Sequence, residues 1–457
     1  MLRRLSRYGG ARDALVHMLS KLDPTKQRAI TALAIRVVGA GLAYLMQILL
    51  ARWMGLAEYG VFVGVWVWLL VLGGIAPLGL NITVIGLLST FHERADHAQS
   101  RGLMATSILV PSAAGLVIGG SGWLTLWLVP SIVSDPYLVP ILLSLVCVPL
   151  LALCDVNEGI ARAHGWMNTA LLPTYLLRPA LLIVGTFTAV QWGMTVDARL
   201  VMSVAIGACL LTVLAQGVVL TCRLRRPDNR RQVAGSPLIW IVASLPIVFA
   251  QTFELITQNF DMIAVSYFLG PESAGVYFAA LKTITLLTYV NFAVGAATAN
   301  RVAALHALES SKDLRSVMGG AVNLAFWPTL IGAGVLVSIA PWLLSFFGED
   351  FASQSGLAAV LAIGFVAKSA VGPAELYLNV LGQQRICAVV LMLAAALNMA
   401  LNIVLIPVYG LMGAAIATAT ALVLLSIALF LVTWARIGVV LRPSVPLTTV
   451  RALMSRA

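Results

Sequence analysis

The stretch VFVGVWVWLLVLGGIAPLGLNITVIGLLS at residues 61–89 contains no charged side chain. It is longer than the roughly 20 residues that a helix needs to cross a bilayer, where a helix satisfies its own backbone polar groups. The whole chain has the same character, with 60% hydrophobic and 10% charged residues among 457. Soluble domains usually carry about 25% charged residues. The sequence therefore predicts an all-α integral membrane protein.

Apolar spans of this kind recur along the chain, and membrane-crossing strands, which would read as short alternating segments, do not. The longest connection between spans, 301–316, has 16 residues, which leaves no large external loop for acceptor chemistry. The function is therefore expected to lie within the helical bundle. Twelve spans are predicted, at 29–50, 61–89, 103–129, 137–161, 169–191, 200–222, 237–269, 273–300, 317–346, 354–382, 386–407 and 410–434.

Basic residues divide unequally between the two sets of connections. Tails and loops on the side of the N-terminus hold 23 of the 29 Lys and Arg residues, the opposite loops hold Arg52 and Arg199, and four lie within spans. Because basic residues near span ends stay in the cytoplasm, both termini are predicted to be cytoplasmic and the number of spans even. The net charge of +11 follows this topology, so we expect membrane lipid, and no nucleic acid, beside these charges.

The two halves of the chain look duplicated. At an offset of 215, GLAEYGVF (55–62) aligns with GPESAGVY (270–277), and QWGMTVDA (191–198) aligns with VYGLMGAA (408–415) after a two-residue gap. Halves with an even number of spans have the same orientation, as in transporters whose central cavity lies between parallel repeats. A purely structural duplication is the alternative. The predicted domains are a basic segment 1–28, a six-helix lobe 29–222, a linker 223–236, a second six-helix lobe 237–436 and a tail 437–457.

Charged residues inside spans are candidate site residues, because a buried charge costs about 2.5 to 3.5 kcal/mol on insertion scales. The basic members exceed the acidic ones, which predicts a cationic cavity suited to a phosphate-bearing substrate. An anionic drug or a lipid headgroup would satisfy the same argument. The predicted substrate-binding residues are Arg36, Arg178, Lys282 and Lys368, and the intramembrane acids are Glu254, Asp261 and Glu375.

Span 7 carries a polar stripe on one helix face, formed by Gln251, Glu254, Gln258 and Asp261 at steps of three, four and three. Such a stripe is typical of the wall of a water-filled cavity, and Gln47 in span 1 is expected to line the same cavity. Glu254 and Asp261 are the acidic members of this stripe. An ion pair between Arg36 and Glu254 that locks spans 1 and 7 together is the alternative.

Other polar groups have simpler interpretations. Lys368 and Glu375 fall on one face of the predicted span 10, where they would neutralise each other. Asp155, Asn157 and Glu158 lie near the cytoplasmic end of span 4 and are expected to contact solvated headgroups. Four prolines are expected to bend their helices: Pro77, Pro173, Pro246 and Pro328.

No motif of soluble catalysis or of a cofactor is present, since the chain has no Walker A sequence, no H-E-x-x-H and no G-x-S-x-G. We therefore predict no enzyme activity, no cofactor, no metal ligands and no ATP hydrolysis. Residues 1–28 place Leu15, Met18, Leu19 and Leu22 at helical spacing beside basic residues, which predicts a helix on the cytoplasmic surface. A frayed basic tail is the alternative.

Four segments resemble the polysaccharide transporters of the multidrug/oligosaccharidyl-lipid/polysaccharide exporter superfamily, the branch that includes the O-antigen flippases. The last is the most specific, with its paired asparagines Asn398 and Asn402 ahead of Ile406, Pro407, Gly410 and Gly413. The segments are ARWMGLAEYGVF (51–62), LGPESAGVYFAALK (269–282), YLNVLGQQR (377–385) and LNMALNIVLIPVYGLMGAAIATA (397–419).

This resemblance implies a two-lobed bundle of twelve to fourteen helices that carries an undecaprenyl-diphosphate-linked oligosaccharide across the bacterial inner membrane by alternating access. It also implies a polysaccharide polymerase and chain-length proteins as partners. Carried over by position, Arg36, Arg178 and Lys282 would meet the diphosphate, and Glu254 would couple transport to a proton or a sodium ion. Asp261 is the second candidate for ion coupling. The alternatives are a cation-coupled exporter of small molecules on the same fold, and a membrane polymerase or glycosyltransferase, which the short external loops disfavour.

Overall fold

The computed structural model describes residues 24–224, 234–308 and 310–444, and within these ranges every regular element is a helix. The predicted surface helix of 1–28 falls largely outside the described residues, as do most of the linker 223–236 and the tail 437–457. The first eight α-helices are α1 Pro24–Met54, α2 Leu56–Ile75, α3 Leu80–Glu93, α4 His97–Leu128, α5 Asp135–Ala163, α6 Met167–Leu172, α7 Arg178–Gln191 and α8 Ala198–Leu224. The others are α9 Pro237–Thr285, α10 Thr288–Ala307, α11 Ser311–Ser345, α12 Glu349–Ala352, α13 Gly356–Ser369, α14 Ala374–Val380 and α15 Gln384–Ile437.

Ten helical stretches in the described ranges are long and apolar enough to cross a membrane. Two of them, Pro237–Ala307 and Gln384–Ile437, have 71 and 54 residues, far more than one crossing needs. Each contains a glycine with a non-helical backbone, Gly270 at φ 81° and Gly410 at φ 60°. Divided at these glycines, the ten stretches become twelve, in agreement with the predicted spans.

Two predicted spans each contain a break within a stretch long and apolar enough to cross a membrane, and the first break lies at Pro77, where a bend was predicted. Span 61–89 is interrupted between α2 and α3, where Pro77 is followed by Leu78 and Gly79 at φ 51° and 71°. Proline lacks the N–H that a helix interior requires, and positive φ leaves the helical region. Span 354–382 breaks in the same way between α13 and α14, at Gly372 and Pro373.

The duplication recurs in the backbone geometry. Gly55 and Gly270, aligned in the sequence at an offset of 215, have φ angles of 79° and 81°. Gly193 and Gly410, aligned after the two-residue gap, have φ angles of 70° and 60°. Gly165 and Gly382 are also 217 positions apart, with φ angles of 72° and 78°. Three left-handed turns at matching positions agree with two copies of one six-span repeat.

Contacts group the described residues into two units. Unit 1 comprises the described residues up to Met46 and those between Trp68 and Leu255. Unit 2 comprises Gln47–Val67 and the described residues from Ile256 onward. The core of unit 1 includes Leu80, Val84, Leu103 and Ile160. The core of unit 2 includes Met318, Val322, Tyr377 and Leu378. The lobe boundaries given by the sequence stay a prediction.

Inside unit 2, the GLAEYGVF motif (55–62) packs against its repeat, GPESAGVY (270–277). A Cβ on Gly60 would overlap the backbone carbonyl of Pro271, and a Cβ on Gly275 would lie 3.4 Å from Gly60 Cα. Gly60 therefore permits direct backbone contact. The Tyr59 ring beside it is fully buried, with its centroid 5.9 Å from that of Phe351. Small residues at helix crossings drive close packing in membranes, where lipid is as apolar as the side chains.

Replacing Gly60 with alanine is expected to destabilise the protein, because the new methyl group meets a backbone carbonyl that cannot rotate away. Overpacking of this kind costs about 1 to 3 kcal/mol. The control is Gly320→Ala, where a Cβ meets nothing within 4 Å and the helix gains propensity. Thermal unfolding of the purified chain in detergent measures both. A Gly60→Ala variant as stable as the wild type would contradict the packing described.

Candidate functional site

Unit 1 gathers charged side chains from three helices into what we call the arginine–carboxylate cluster: Arg36 of α1, Asp155, Glu158 and Arg162 of α5, and Arg178 of α7. Glu158 and Arg162, one turn apart, form an ion pair. The Glu158 carboxylate also interacts electrostatically with Arg36 and Arg178, and Asp155 with Arg178 and Arg162. Three guanidinium groups against two carboxylates leave the cluster net positive.

A π-helical turn, Pro173–Leu177, positions Arg178 at the start of α7. The Arg36 guanidinium lies 5.8 Å from the centroid of the Tyr175 ring in this turn, within cation–π range. A Cβ on Gly39 would lie 2.8 Å from Tyr175 Cβ, so the glycine lets α1 approach the turn. Single π turns often mark functional sites, because they re-aim side chains inside a helix.

The structure corrects the expectation of solvated headgroup contacts for Asn157 and Glu158, whereas Asp155 is half-buried. The Glu158 side chain is only 13% exposed and Asn157 is 6% exposed. Their helix α5 packs against α3, α4, α6 and α8 in unit 1, which accounts for this burial. Sequence reasoning missed Glu158 because an acid with a base four residues later is also typical of a solvated helix end.

Unit 2 contains a buried carboxylate network formed by Asp261, Tyr277 and Thr418. Asp261 is 6% exposed, and its Oδ2 accepts a hydrogen bond of 2.9 Å from the Tyr277 hydroxyl. Its Oδ1 accepts a bond of 2.8 Å from the backbone N–H of Met262. Tyr277 Oη lies 3.2 Å from Thr418 Oγ1 on α15. The network joins the α9 segments before and after Gly270 to the α15 segment after Gly410. Burying a carboxylate costs free energy, and hydrogen-bond partners such as these offset that cost.

Lys282 lies near the C-terminal end of α9, five residues after Tyr277. Its Nζ is 5.0 Å from the centroid of the Phe278 ring, one turn earlier, and its charge attracts the Asp261 carboxylate. The side chain itself is exposed. Lys282 therefore places a positive charge at the surface of unit 2, near a buried acid.

Tyr277→Phe removes the hydroxyl that links Asp261 to Thr418 and leaves Oδ2 without its donor. Hydrogen bonds inside membranes contribute about 0.6 to 2 kcal/mol, so the free energy of unfolding should fall by about that amount. The matched control is Tyr267→Phe on the same helix, because Tyr267 is 83% exposed. Chemical unfolding in detergent should separate the two variants, and equal stability would argue against the network.

Lys368 and Glu375 form the ion pair that their spacing suggested, with Lys368 Nζ 3.0 Å from Glu375 Oε1. They do not share one helix face, however, because the chain breaks between α13 and α14. The pair spans this break, and each side chain is 33% exposed. Its contact with a substrate stays a prediction.

The residues predicted to line the cavity differ in environment. Gln47 is 7% exposed, and its Oε1 accepts a bond of 3.1 Å from the Tyr59 hydroxyl, so it is held inside unit 2. Gln251 is half-buried, and Glu254 and Gln258 are exposed.

The predicted site residues divide between the two units. Arg36, Arg178, Gln251 and Glu254 belong to unit 1, whereas Gln47, Gln258, Asp261, Lys282 and Lys368 belong to unit 2. The structure therefore brings Arg36 and Arg178 together in one cluster, and Asp261 and Lys282 together in another. A cavity shared by all of them stays a prediction.

Three solved structures resemble the chain over about nine-tenths of its length. An inward-facing multidrug resistance MATE family transporter of the MOP superfamily has a TM-score of 0.73 at 18% identity, covering 90% of this chain and 98% of that one. An outward-facing one has a TM-score of 0.63 at 16% identity, with coverage of 92% and 97%. The third is a MOP superfamily transporter from Pyrococcus furiosus, whose binding pocket is described as reversed in polarity, suggesting a different function. Its TM-score is 0.65 at 17% identity, with coverage of 92% and 97%.

Similarity in sequence covers less of the chain than similarity in structure. No protein-family model matches the chain. An uncharacterised membrane protein of Methanocaldococcus jannaschii is 28% identical over 173 residues, which cover 36% of this chain and 33% of the relative. The match thus spans about a third of that relative's length. The chain is a multi-pass membrane protein with the fold of the MATE transporters of the MOP superfamily.

Proposed function

We propose that the protein is a flippase that moves a lipid-linked oligosaccharide of the undecaprenyl-diphosphate type across the bacterial inner membrane for the synthesis of a surface polysaccharide. No covalent chemistry is involved. The charged head crosses through a hydrated cavity while the prenyl tail stays in lipid. Both termini are cytoplasmic in this proposal, and the polymerase and chain-length proteins act on the delivered product.

The observation that carries the proposal is the arginine–carboxylate cluster of unit 1. Arg162 forms an ion pair with Glu158, and the Arg36 and Arg178 guanidinium groups of α1 and α7 also attract this carboxylate. Asp155 is attracted to Arg178 and Arg162. Guanidinium groups bind phosphate oxygens through paired, charge-assisted hydrogen bonds, which gain strength in a low dielectric. A diphosphate carries enough negative charge to outcompete one carboxylate for them.

The fold supports alternating access as the mode of transport. The similar MATE transporters occur in inward-facing and outward-facing conformations, and both resemble this chain. The Pyrococcus furiosus relative, with its pocket of reversed polarity, is in line with a cargo on this fold other than the multidrug one. The basic residues of this chain agree with such a change of cargo.

The buried carboxylate network supplies the coupling step in this proposal. Protonation of Asp261, or sodium binding to it, changes the charge of a group that is hydrogen-bonded to Tyr277 and attracted to Lys282. A conformational equilibrium shifts when an ion binds its two states with different affinity. Glu254, exposed on the first segment of α9, is the second coupling candidate.

A cation-coupled exporter of small molecules is the second candidate function. It is favoured by the likeness to multidrug resistance transporters and by the same buried Asp261, which suits an inward cation.

Deletion of the gene in its source bacterium separates the two functions. The flippase proposal predicts loss of the surface polysaccharide, accumulation of a lipid-linked oligosaccharide in the inner leaflet, and unchanged drug sensitivity. The exporter predicts a normal polysaccharide and increased drug sensitivity. Complementation with the wild-type gene is the control, and a normal polysaccharide in the deletion strain would contradict the proposal.

A further inference from the structure

Glu158 interacts with basic side chains that the proposed function assigns to a ligand. Its side chain is 13% exposed, less than the 30% of Arg162, with which it forms an ion pair. Arg36 and Arg178 contribute further attraction from α1 and α7. The Glu158 carboxylate therefore already supplies the negative charge that an anionic ligand of these arginines would bring.

Glu375 repeats this arrangement in unit 2. Its Oε1 lies 3.0 Å from Lys368 Nζ, another base assigned to the substrate. Glu375 thus neutralises a basic group of unit 2, as Glu158 does in unit 1.

The two glutamates occupy equivalent positions of the duplicated chain. They are 217 residues apart, as are the turn glycines Gly165 and Gly382, and each glutamate precedes its glycine by seven residues. Their basic partners, however, come from different positions in the two units. A carboxylate that recurs while its partners change points to a role for the carboxylate itself.

Electrostatics gives such a carboxylate a specific role. Buried cations without a counter-charge are strongly destabilising, so a basic site inside a membrane protein needs an anion when it is empty. A permanent carboxylate supplies that anion and competes with the ligand. The competition weakens binding, but it also speeds release, because the carboxylate re-forms its ion pairs as the ligand leaves.

We propose that Glu158 and Glu375 are exchangeable counter-anions, which hold the basic groups of their units in the empty state and are displaced by the phosphate of an anionic head group. This inference rests on the proposed function. It makes both glutamates positioning residues that set ligand affinity and release.

The exchange is tested by titrating inorganic pyrophosphate into the purified full chain and measuring its affinity. The wild type is compared with Glu158→Gln, Glu375→Gln and the double variant. Glutamine keeps the shape and removes the charge, so Glu158→Gln should bind pyrophosphate about tenfold more tightly, and Glu375→Gln more tightly by a smaller factor. The control is Glu272→Gln, an exposed acid of α9. In a transport assay Glu158→Gln should lower KM and lower the maximal rate together. A residue with a structural role alone would weaken binding when removed.

Each outcome decides the inference. Unchanged or weaker binding in the folded Gln variants, while the wild type binds pyrophosphate, would overturn the exchange and leave the flippase proposal standing. Absence of binding in every form would overturn both. If Glu158→Gln does not fold, Glu375→Gln decides alone, because its pair is more exposed.

A second arm identifies the source of the phosphate. The titration is repeated in nanodiscs of phosphatidylcholine with and without phosphatidylglycerol. Competition by phosphatidylglycerol that Glu158→Gln enhances would support exchange with membrane phospholipid heads. Enhanced pyrophosphate binding without such competition would support exchange with the diphosphate of the proposed substrate.

Discussion

Replacing Arg36 and Arg178 together with alanine is expected to lower the affinity for pyrophosphate more than about a hundredfold and to abolish transport of the lipid-linked substrate. A hydrogen bond to a charged group contributes about 1.5 to 3 kcal/mol, and 1.4 kcal/mol corresponds to a tenfold change. Each single variant should therefore lose about one to two orders of magnitude. Binding is measured by titration calorimetry and transport by substrate movement in proteoliposomes.

The control for this prediction is Arg385→Ala, because Arg385 is an exposed arginine beyond α14 and outside the cluster. It should bind and transport like the wild type. Thermal unfolding of each variant separates loss of binding from loss of the fold. Wild-type affinity in a folded Arg36→Ala, Arg178→Ala double variant would remove the cluster from the binding site.

Asp261→Asn is expected to uncouple transport from its ion gradient. Asparagine keeps an oxygen that can accept the Tyr277 hydrogen bond, but it neither ionises nor attracts a cation. If the ion biases the transport cycle through Asp261, the rate driven by a gradient should fall to the rate measured without a gradient. Transport is followed under imposed proton and sodium gradients.

Two acids of α9 serve as comparisons. Glu272→Gln should retain coupling, because Glu272 is exposed and lies outside the network. Glu254→Gln shows whether the second candidate contributes. A response of Asp261→Asn to both gradients that equals the wild type would exclude a coupling role for Asp261.

The sequence predicted much of the fold, because membrane insertion depends on local composition. The apolar spans and the halves of six spans each follow from hydropathy, charge and the repeated glycines. Gly270 and Gly410 mark the breaks within α9 and α15, as the span boundaries predicted. The break at Pro77 was predicted as a bend from its proline, whereas the break at Pro373 was not predicted, because an apolar run continues across it.

The partners within the sites could not be read from the sequence, because they come from distant segments. Tyr277 is 16 residues from Asp261, and Thr418 is 141 residues from Tyr277. Nothing local distinguishes that tyrosine from Tyr267, which is exposed. Glu158 was predicted as a headgroup contact, since its burial depends on helices from distant parts of the sequence that pack against α5. By contrast, Arg36, Arg178 and Asp261 were identified because charges inside apolar spans are rare.

The most direct measurement of the central claim is transbilayer movement of a defined undecaprenyl-diphosphate-linked saccharide in proteoliposomes containing the purified chain. The saccharide starts in the inner leaflet, and a lectin outside reports its arrival. The flippase proposal predicts that the wild type exposes the saccharide, while empty liposomes and the Arg36→Ala, Arg178→Ala double variant do not. Equal exposure in empty and protein-containing liposomes, with the protein folded and an ion gradient imposed, would contradict it.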